Sequence, residues 1–528
     1  MTVPDLRAAR AAVETTARVV DGAVAHLGRR LDDDQAVAYD VAHAAAGTAA
    51  ARSMLRYGTL GEVESRLAEA YVADLVHDVA CRMLGRAEHW GARPGALDEA
   101  VAVVAKARDP ANLADLAHIG PGPRHLDDDH ELVADTFRRF ADDRIRRRAE
   151  QVHRTNADVP EEVISGLAEL GAFGLSVPEA YGGFAAGDER DHLAMVVATE
   201  ELSRASLGIG GSLITRPEIL TRALVRGGTD AQKRRWLPRI AAGEELVAVA
   251  VTEPDHGSDV ARLRTTARRS GEGWVITGTK TWCTFAGRAD VLMLLARSDA
   301  DQPGHRGLSL FMVSKPRGYG HGFDFSQDRR GGAPGGGRMQ GRAIDTIGYR
   351  GMHSYEIALD EWWVPADALV GERSGEGRGF HLTMEGFETG RLQTAARAVG
   401  LMQAAYEAAR SYASDRWVFG SPVGDYQLTR VKLARMALLI QAGRQLVLDG
   451  ARAMGETSAG LQAAMVKAYA CRVAEWVTRE AMQIHGGMGY AEEYEVSRLF
   501  VDARVLSIFE GSDEILCLKV IMRRLTAA

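Results

Sequence analysis

Leu246-Val-Ala-Val-Ala-Val251-Thr252-Glu-Pro-Asp-His-Gly-Ser258-Asp259 is the stretch at which the texture of the chain changes. A run of small and β-branched apolar residues ends in a turn built on Pro254 and Gly257, the punctuation of a buried strand and its exit. Such a turn presents backbone N–H groups and the hydroxyls of Thr252 and Ser258 at the strand's end, an arrangement that suits a polar ring or a phosphate. Similar runs follow at Trp274–Thr277, Val291–Leu295, Leu308–Val313 and Tyr355–Leu359, each bounded by Gly, Asp or Pro. They predict a β-domain of roughly 120 residues inside a chain that is otherwise helical.

Upstream, apolar residues recur at helical spacing, as in Leu67, Ala68, Tyr71, Val72, Leu75 and Val79. His77, Cys81, His89 and Trp90 in this segment read as ordinary core or surface positions rather than ligands. Ile119-Gly-Pro-Gly-Pro-Arg124 cannot continue a helix and marks a boundary. A second helical block runs from Asp127 to Gly243, with Thr229 or Asp230 as a helix cap. Gly331-Gly-Ala-Pro-Gly-Gly-Gly337 lacks phosphate-loop spacing and reads as a hairpin insertion. Helical patterning returns at Gly377, with breaks at Phe419–Asp425, Gly455–Gly460 and Gly486–Tyr490. The expected division is a helical extension over 1–122, a helical domain over 123–245, a middle β-domain over 246–372 and a C-terminal helical domain over 373–528.

The 528 residues allow several domains, and 46% hydrophobic with 26% charged residues is the balance of a globular protein. A net charge of −7 gives no electrostatic case for nucleic acid or an anionic membrane. Cys81, Cys283, Cys471 and Cys517 are widely separated and histidines do not cluster at ligand spacing, so neither a disulfide scaffold nor a metal site is expected. With no apolar leader and no membrane-length apolar run, a cytoplasmic protein is expected.

Val501-Asp-Ala-Arg-Val-Leu-Ser-Ile-Phe-Glu-Gly-Ser-Asp-Glu-Ile-Leu516 carries one carboxylate, Glu510, between an apolar run and the breaker pair Gly511 and Ser512. Ser512, followed by Asp513 and Glu514, has the composition of a helix start. Glu510 is thereby placed on a turn among apolar neighbours, where a carboxylate becomes a stronger base. A further strand-like piece, Lys280-Thr-Trp282-Cys-Thr284, would point Trp282 and Thr284 to one face.

In order along the chain stand Val251-Thr-Glu-Pro with Gly-Ser258-Asp, Trp282-x-Thr284, Asp415-Arg416-x-x-Phe419-Gly420, Gln483-Ile-His-Gly486-Gly487 and Phe509-Glu510-Gly511-Ser512. From about Leu126 to the C-terminus this series resembles the acyl-CoA dehydrogenase family. The resemblance implies a helical N-terminal domain, a middle β-barrel-like domain and a C-terminal four-helix bundle, here preceded by an extra helical extension. It also implies FAD lying between the β-domain and the C-terminal helices, with its adenine half completed by a neighbouring subunit. Val251, Thr252, Ser258, Trp282 and Thr284 would contact the flavin and pyrophosphate from one chain. Arg416, Phe419, Gln483, Gly486 and Gly487 would contact the rest of the cofactor from the other, with Ser512 and Glu514 also on FAD. At least a homodimer, or a homotetramer, is implied, with an electron-transferring flavoprotein as acceptor.

By the same resemblance, Glu510 is the base that removes the α-hydrogen of an acyl-CoA thioester while the β-hydrogen leaves as hydride to flavin N5. The thioester carbonyl is polarised by an FAD hydroxyl and a backbone N–H. Some relatives carry the base just before an Arg that corresponds to Arg391; Gly390 stands there instead, so Glu510 has no rival at that position. Phe509 and Ser512 replace the family's common Tyr and Thr. Arg391, Gly511 and Ser258 are implied in substrate binding. The extra segment, Asp345–Tyr355 and the C-terminal stretch resemble a branch of the family that acts on a short, branched, dicarboxylic acyl group, and the resemblance implies a cation for its far carboxylate. Arg216, in Ser212-Leu-Ile-Thr-Arg-Pro217, is the first candidate and Arg350 the second. Alternative readings are another short or branched acyl-CoA substrate, an acyl-CoA oxidase, or a flavin-bearing DNA-binding protein, the last opposed by the acidic balance and by Glu510 itself.

Overall fold

The structure is a computed structural model that describes residues 5–328, 336–455 and 459–527. The chain forms two compact units: one runs to Thr136 and resumes at Thr394, and the other is Phe137–Gln393. Among the described residues no helix is long and apolar enough to cross a membrane.

The first unit is all helical apart from one two-stranded hairpin. Its N-terminal helices are Arg7–Leu27, Gln35–Tyr57 and Glu62–Met83. The Gln35–Tyr57 helix is rich in Ala, which loses no side-chain entropy on helix formation. Gly47 lets it approach its neighbour closely, since a Cβ there would lie 2.8 Å from Leu75 Cδ1. The periodic set Leu67, Ala68, Tyr71, Val72, Leu75 and Val79 is buried, as is Trp90, whereas His77, Cys81 and His89 are exposed. C-terminal helices of the same unit are Thr394–Asp415, the end of a longer helix beginning at Gly379, then Gln427–Arg452, Ala459–His485 and Glu495–Leu506.

The extension is built into these helices. Gln35–Tyr57 packs on both Gln427–Arg452 and Ala459–His485. Tyr57 Oη and Gln441 Nε2 each donate to the Pro123 carbonyl at 3.0 Å, and Arg435 pairs with buried Asp74 at 3.1 Å. Farther along, Tyr39 Oη donates to Asp513, and His43 Nε2 lies 3.0 Å from the same carboxylate oxygen.

The second unit carries a curled eight-stranded sheet: β1 (Val247–Ala250), β2 (Thr266–Ser270), β3 (Gly273–Thr284), β4 (Val291–Arg297), β5 (Leu308–Ser314), β6 (Gly322–Ser326), β7 (Arg338–Ala343) and β8 (Ser354–Pro365). Its order is β1-β4-β2-β3-β8-β7-β6, with β5 beside β4. β1 and β4 pair in parallel, Val247 opposite Val291. One face of these strands buries Ala248, Leu292 and Leu294 with Trp274 and Phe311, while the other packs Met293, Leu295 and Leu310 on Leu220, Trp236 and Ile240 of the helices before it. Burial on both faces explains the continuous apolar runs. Thr229 caps the Asp230–Ala241 helix in a capping box with Gln232.

Three strands escape the sequence reading. β2, β6 and β7 show alternating or largely exposed positions and carry charged residues, so no apolar run announces them. The expected shared face of Trp282 and Thr284 also fails. A register shift lies between Lys280 and Cys283, and Trp282 takes φ +57°, so strict alternation is broken. Trp282 is 55% exposed while Thr284 is buried. Gly331–Gly337 lies mostly outside the described residues; the strands flanking it, β6 and β7, pair as an antiparallel hairpin. The break at Gly455–Gly460 likewise falls partly outside them.

All four cysteines are free. Cys517, buried, lies 3.5 Å from His43 Nε2 and completes a side-chain cluster with Asp513, a juxtaposition that the spacing of these residues along the chain conceals. Burial drives the His43 pKa below the ordinary imidazole value, although Asp513 opposes the shift and Arg472 and Arg82 add to it. Neutral His43 therefore belongs to the folded state. Because the unfolded imidazole takes up a proton near pH 6.5, stability from this site is full above that pH and declines as pH falls below it. Burial would raise the Asp513 pKa, but hydrogen bonds from His43 and Tyr39 outweigh it and keep the carboxylate ionised throughout this window. The midpoint of denaturant unfolding should fall between pH 7.5 and 5.5 in the wild type, and His43→Gln should flatten that fall; an unchanged slope would remove His43 as its source.

Candidate active site

The turn that carries Glu510 is held from several directions. The Glu495–Leu506 helix ends with Ile508 and Phe509 N–H groups donating to Val505 O at 2.9 and 3.0 Å. Glu510 then takes φ +55° and Gly511 φ +98°. A left-handed conformation costs a side-chain-bearing residue about 1–2 kcal/mol, so surrounding contacts must enforce it. They are present: buried Lys467, on the Ala459–His485 helix, donates to Gly511 O at 2.7 Å, and Asp513 N–H donates to Ser507 O at 3.0 Å. Tyr39 and His43 of the extension hold the Asp513 side chain.

Ser512 is the N-cap residue of the short Asp513–Ile515 helix, as the expected helix start requires, but its hydroxyl makes no capping bond. Its backbone carbonyl accepts from Leu516 N–H at 2.9 Å. Asp513, expected only to suit the helix dipole, is used by the extension instead. Glu514 is exposed.

The Glu510 side chain is 9% exposed and both of its oxygens have donors. Thr394 Oγ1 donates to Oε2 at 2.5 Å, and Arg397 Nη2 donates to Oε1 at 2.9 Å. Arg397 is fully buried, and its guanidinium lies 4.8 Å from the Phe509 ring centroid. Sequence reading missed Thr394, Arg397 and Lys467, which sit inside helical runs of apolar and small residues without a motif of their own. The signal available was polar residues on an otherwise apolar face: Thr394 and Arg397, three apart, lie on the same side of one helix.

The second unit assembles the other set of predicted residues. Thr281 N–H donates to Thr252 O at 2.9 Å, joining the turn after β1 to β3. Beneath it, Lys280 Nζ donates to Val251 O at 3.0 Å and pairs with Glu253 Oε1 at 2.9 Å, while Arg264 and Thr265 N–H groups donate to the Glu253 carboxylate at 2.7 and 2.8 Å. Burial raises the Glu253 pKa, but Lys280 and these donors outweigh it and hold the group below the ordinary carboxylate range. Thr252 is half-buried and Ser258 exposed at the surface this network supports. Thr284 Oγ1 lies 2.9 Å from Ser354 Oγ at the paired ends of β3 and β8.

Of the candidate cations in this unit, Arg216 is buried at the start of the Thr215–Gly227 helix and Arg391 is half-buried on the helix beginning at Gly379. Arg350 donates to the carbonyls of Thr346 and His153 at 3.1 and 2.9 Å, a structural use of its guanidinium.

A third group lies in the first unit. Arg416 precedes the hairpin after Asp415 and Phe419 lies in its turn, while His485, next to Gly486, stacks at 4.2 Å on Tyr412 of the preceding helix. Phe419 is 99% exposed with φ +49°, and Arg416 and Gln483 are exposed. A Cβ added at Gly486 or Gly487 would meet nothing within 4 Å, so the backbone there is open to close approach. An exposed cation, an exposed aromatic ring, open glycine backbone and hydroxyls at strand ends fit the phosphates, rings and ribose of FAD.

Comparison with known proteins agrees with this composition. Models of the acyl-CoA dehydrogenase N-terminal, middle and C-terminal domains match residues 127–244, 248–361 and 377–526. The (2S)-methylsuccinyl-CoA dehydrogenase of Cereibacter sphaeroides is 44% identical over 406 residues, 76% of this chain and 71% of that protein. Among solved structures, the butyryl-CoA dehydrogenase of Megasphaera elsdenii aligns with a TM-score of 0.68 at 30% identity, over 76% of this chain and 99% of that one. A glutaryl-coenzyme A dehydrogenase in complex with glutaryl-CoA aligns with a TM-score of 0.66 at 31% identity, over 75% and 95%.

The Glu253–Lys280 pair is a direct test of how the turn after β1 is held. Lys280→Met leaves a buried carboxylate without its cation and should destabilise the protein by about 3–5 kcal/mol in denaturant unfolding. The double variant Glu253→Gln/Lys280→Met should recover part of that loss; equal losses in both would show that the charge pair is not what holds the turn.

Proposed function

Since this chain belongs to the acyl-CoA dehydrogenase family, FAD-dependent oxidoreductases acting on CH–CH bonds, we propose that it dehydrogenates (2S)-methylsuccinyl-CoA to mesaconyl-CoA. The observation that carries the mechanism is Glu510, a nearly buried carboxylate on an enforced left-handed turn. The α-hydrogen of a thioester is weakly acidic, and its removal calls for a fixed base of this kind together with stabilisation of the carbonyl oxygen. FAD, when bound, supplies the acceptor for the β-hydrogen and its electron pair.

The chain's own groups then divide the work. Glu510 takes the α-proton, and its backbone N–H is the donor available to the thioester oxygen. Lys467, acting on the Gly511 carbonyl, fixes the direction in which that backbone points. Val251, Thr252, Ser258 and Thr284 offer polar contacts for the flavin end, with the exposed face of Trp282 beside them. Arg416, Phe419, Gln483, Gly486 and Gly487 receive the remainder of the cofactor from a second copy, which accounts for a phenylalanine left almost wholly exposed in one chain. Ser512 and Glu514 belong to the same cofactor reading. The working assembly is a homodimer or homotetramer that passes electrons to an electron-transferring flavoprotein.

Arg391, Gly511 and Ser258 serve the CoA thioester. The far carboxylate of methylsuccinyl-CoA needs a cation, and of the two arginines read from the sequence Arg216 is favoured over Arg350, whose donors serve backbone carbonyls.

Anaerobic loss of the flavin absorbance on adding thioesters tests the proposal. Methylsuccinyl-CoA should bleach the wild type faster than butyryl-CoA or isobutyryl-CoA, and Glu510→Gln should slow that step by about 10²- to 10⁴-fold. Faster bleaching by an uncharged thioester would overturn the substrate; unaltered bleaching in the variant would overturn the base.

A further inference from the structure

We propose that Asp158, His321 and His353 form a site for a divalent transition-metal ion, zinc or an ion of similar ligand preference, that clasps the 156–158 loop to the end of the sheet beside Thr284. The three residues come from separate parts of the chain. Asp158 lies in the loop between the Arg147–Thr155 and Glu161–Glu169 helices, His321 directly before β6 and His353 directly before β8. Each offers one ligand atom, and these atoms all lie within 4.8 Å of one another. Linear spacing hides the group, because the two histidines meet Asn156 across 165 and 197 residues.

The hydrogen bonds around the rings decide which nitrogens are available. Asn156 ends its helix in a left-handed conformation, φ +52°, and its carbonyl oxygen lies 2.8 Å from His321 Nε2 and 3.2 Å from His353 Nε2. A carbonyl only accepts, so the proton of each neutral imidazole is assigned to Nε2 and each Nδ1 carries a lone pair. A ligating histidine is held in this way, one nitrogen donating to a carbonyl and the other turned to the metal. On His353 the lone pair faces oxygen: Nδ1 lies 3.5 Å from Asp158 Oδ1 and 3.2 Å from the Gly351 carbonyl oxygen. The His353 side chain is 4% exposed and that of Asp158 19%, so electron-rich atoms converge out of reach of most water and call for a cation among them.

A second proton on His353 would fill that role, but burial pushes its pKa below the ordinary imidazole value, with His321 and Arg350 adding to the shift and Asp158 and Asp345 opposing it. A metal ion meets the same need and takes the imidazole neutral. Zinc holds nitrogen and oxygen ligands at about 2.0–2.2 Å, which sets tetrahedral neighbours about 3.3–3.6 Å apart. The separation of His353 Nδ1 and Asp158 Oδ1, 3.5 Å, falls in that range. Two imidazoles with one carboxylate favour zinc and its neighbours over magnesium or calcium. His321 is exposed, which leaves room for its ring to adjust. Asp158 is already oriented, since Gly320 N–H donates to its Oδ2 at 3.1 Å. The clasp bears on the flavin end of the proposed cofactor site: the His353 carbonyl accepts from Phe285 N–H at 2.8 Å, and Ser354 contacts Thr284 at 2.9 Å.

The test uses tag-free, FAD-loaded protein, stripped with a chelator and titrated with zinc, with bound metal read by elemental analysis and stability by thermal unfolding. The wild type should take up one zinc per chain with a Kd of about 10 µM or tighter, and its Tm should rise with the ion. Asp158→Asn keeps an acceptor for Gly320 N–H and His321→Gln changes an exposed position, so both should fold. Each should weaken zinc binding by more than the about 10- to 100-fold usual for a residue that only orients a ligand, and each should flatten the zinc-dependent rise in Tm. Cys517→Ser is the control, because His43, Asp513 and Cys517 form the other cluster of metal-ligating side chains among the described residues; it should leave uptake unchanged. No uptake by the wild type, uptake that survives both Asp158→Asn and His321→Gln, or uptake lost with Cys517→Ser alone would overturn the assignment.

Discussion

A buried carboxylate needs a reason to stay in place, and the contact between Glu510 and Arg397 supplies one. Neither group is placed by local sequence preference. Glu510 occupies a backbone conformation that disfavours it, and Arg397 lies in a helix interior where charged side chains are rarely found. Each is tolerated because the other is there. Thr394, Lys467 and the Asp513 contacts then determine which way the carboxylate and its backbone N–H point. Removing any one would loosen an arrangement that is strained from the start, the condition expected where geometry is held for chemistry.

The N-terminal extension takes part in that arrangement. Its Gln35–Tyr57 helix packs into the C-terminal helices and delivers Tyr39 and His43 to the residue three positions past Glu510. The segment therefore bears on the Glu510 turn through direct hydrogen bonds to Asp513, and its His43 lies 3.5 Å from Cys517 Sγ. In the other unit, the Glu253–Lys280 pair does the corresponding work for the turn after β1, anchoring a polar surface from beneath with charges that never reach it.

Much of this was legible in the chain. Apolar runs gave the buried strands, helical spacing gave the first helices, and Gly and Pro clusters gave the breaks, because in each case the pattern reflects a buried face that must be apolar. Strands β2, β6 and β7 were not legible, since a strand with a wet face has no such requirement. The resemblance carried by Thr252, Trp282, Arg416, Gln483 and Glu510 pointed to FAD and made Glu510 the candidate base. It did not reach Arg397, Lys467 or His43, whose roles depend on partners 113, 44 and 470 residues away. Trp282 shows a related limit: a single bulge was enough to undo a face deduced from period-two alternation.

The most direct measurement is a crystal structure of the FAD-loaded protein with a redox-inert thioether analogue of (2S)-methylsuccinyl-CoA. The account predicts the analogue's C2 within about 3.5 Å of a Glu510 oxygen. A C2 turned away from Glu510 would contradict it.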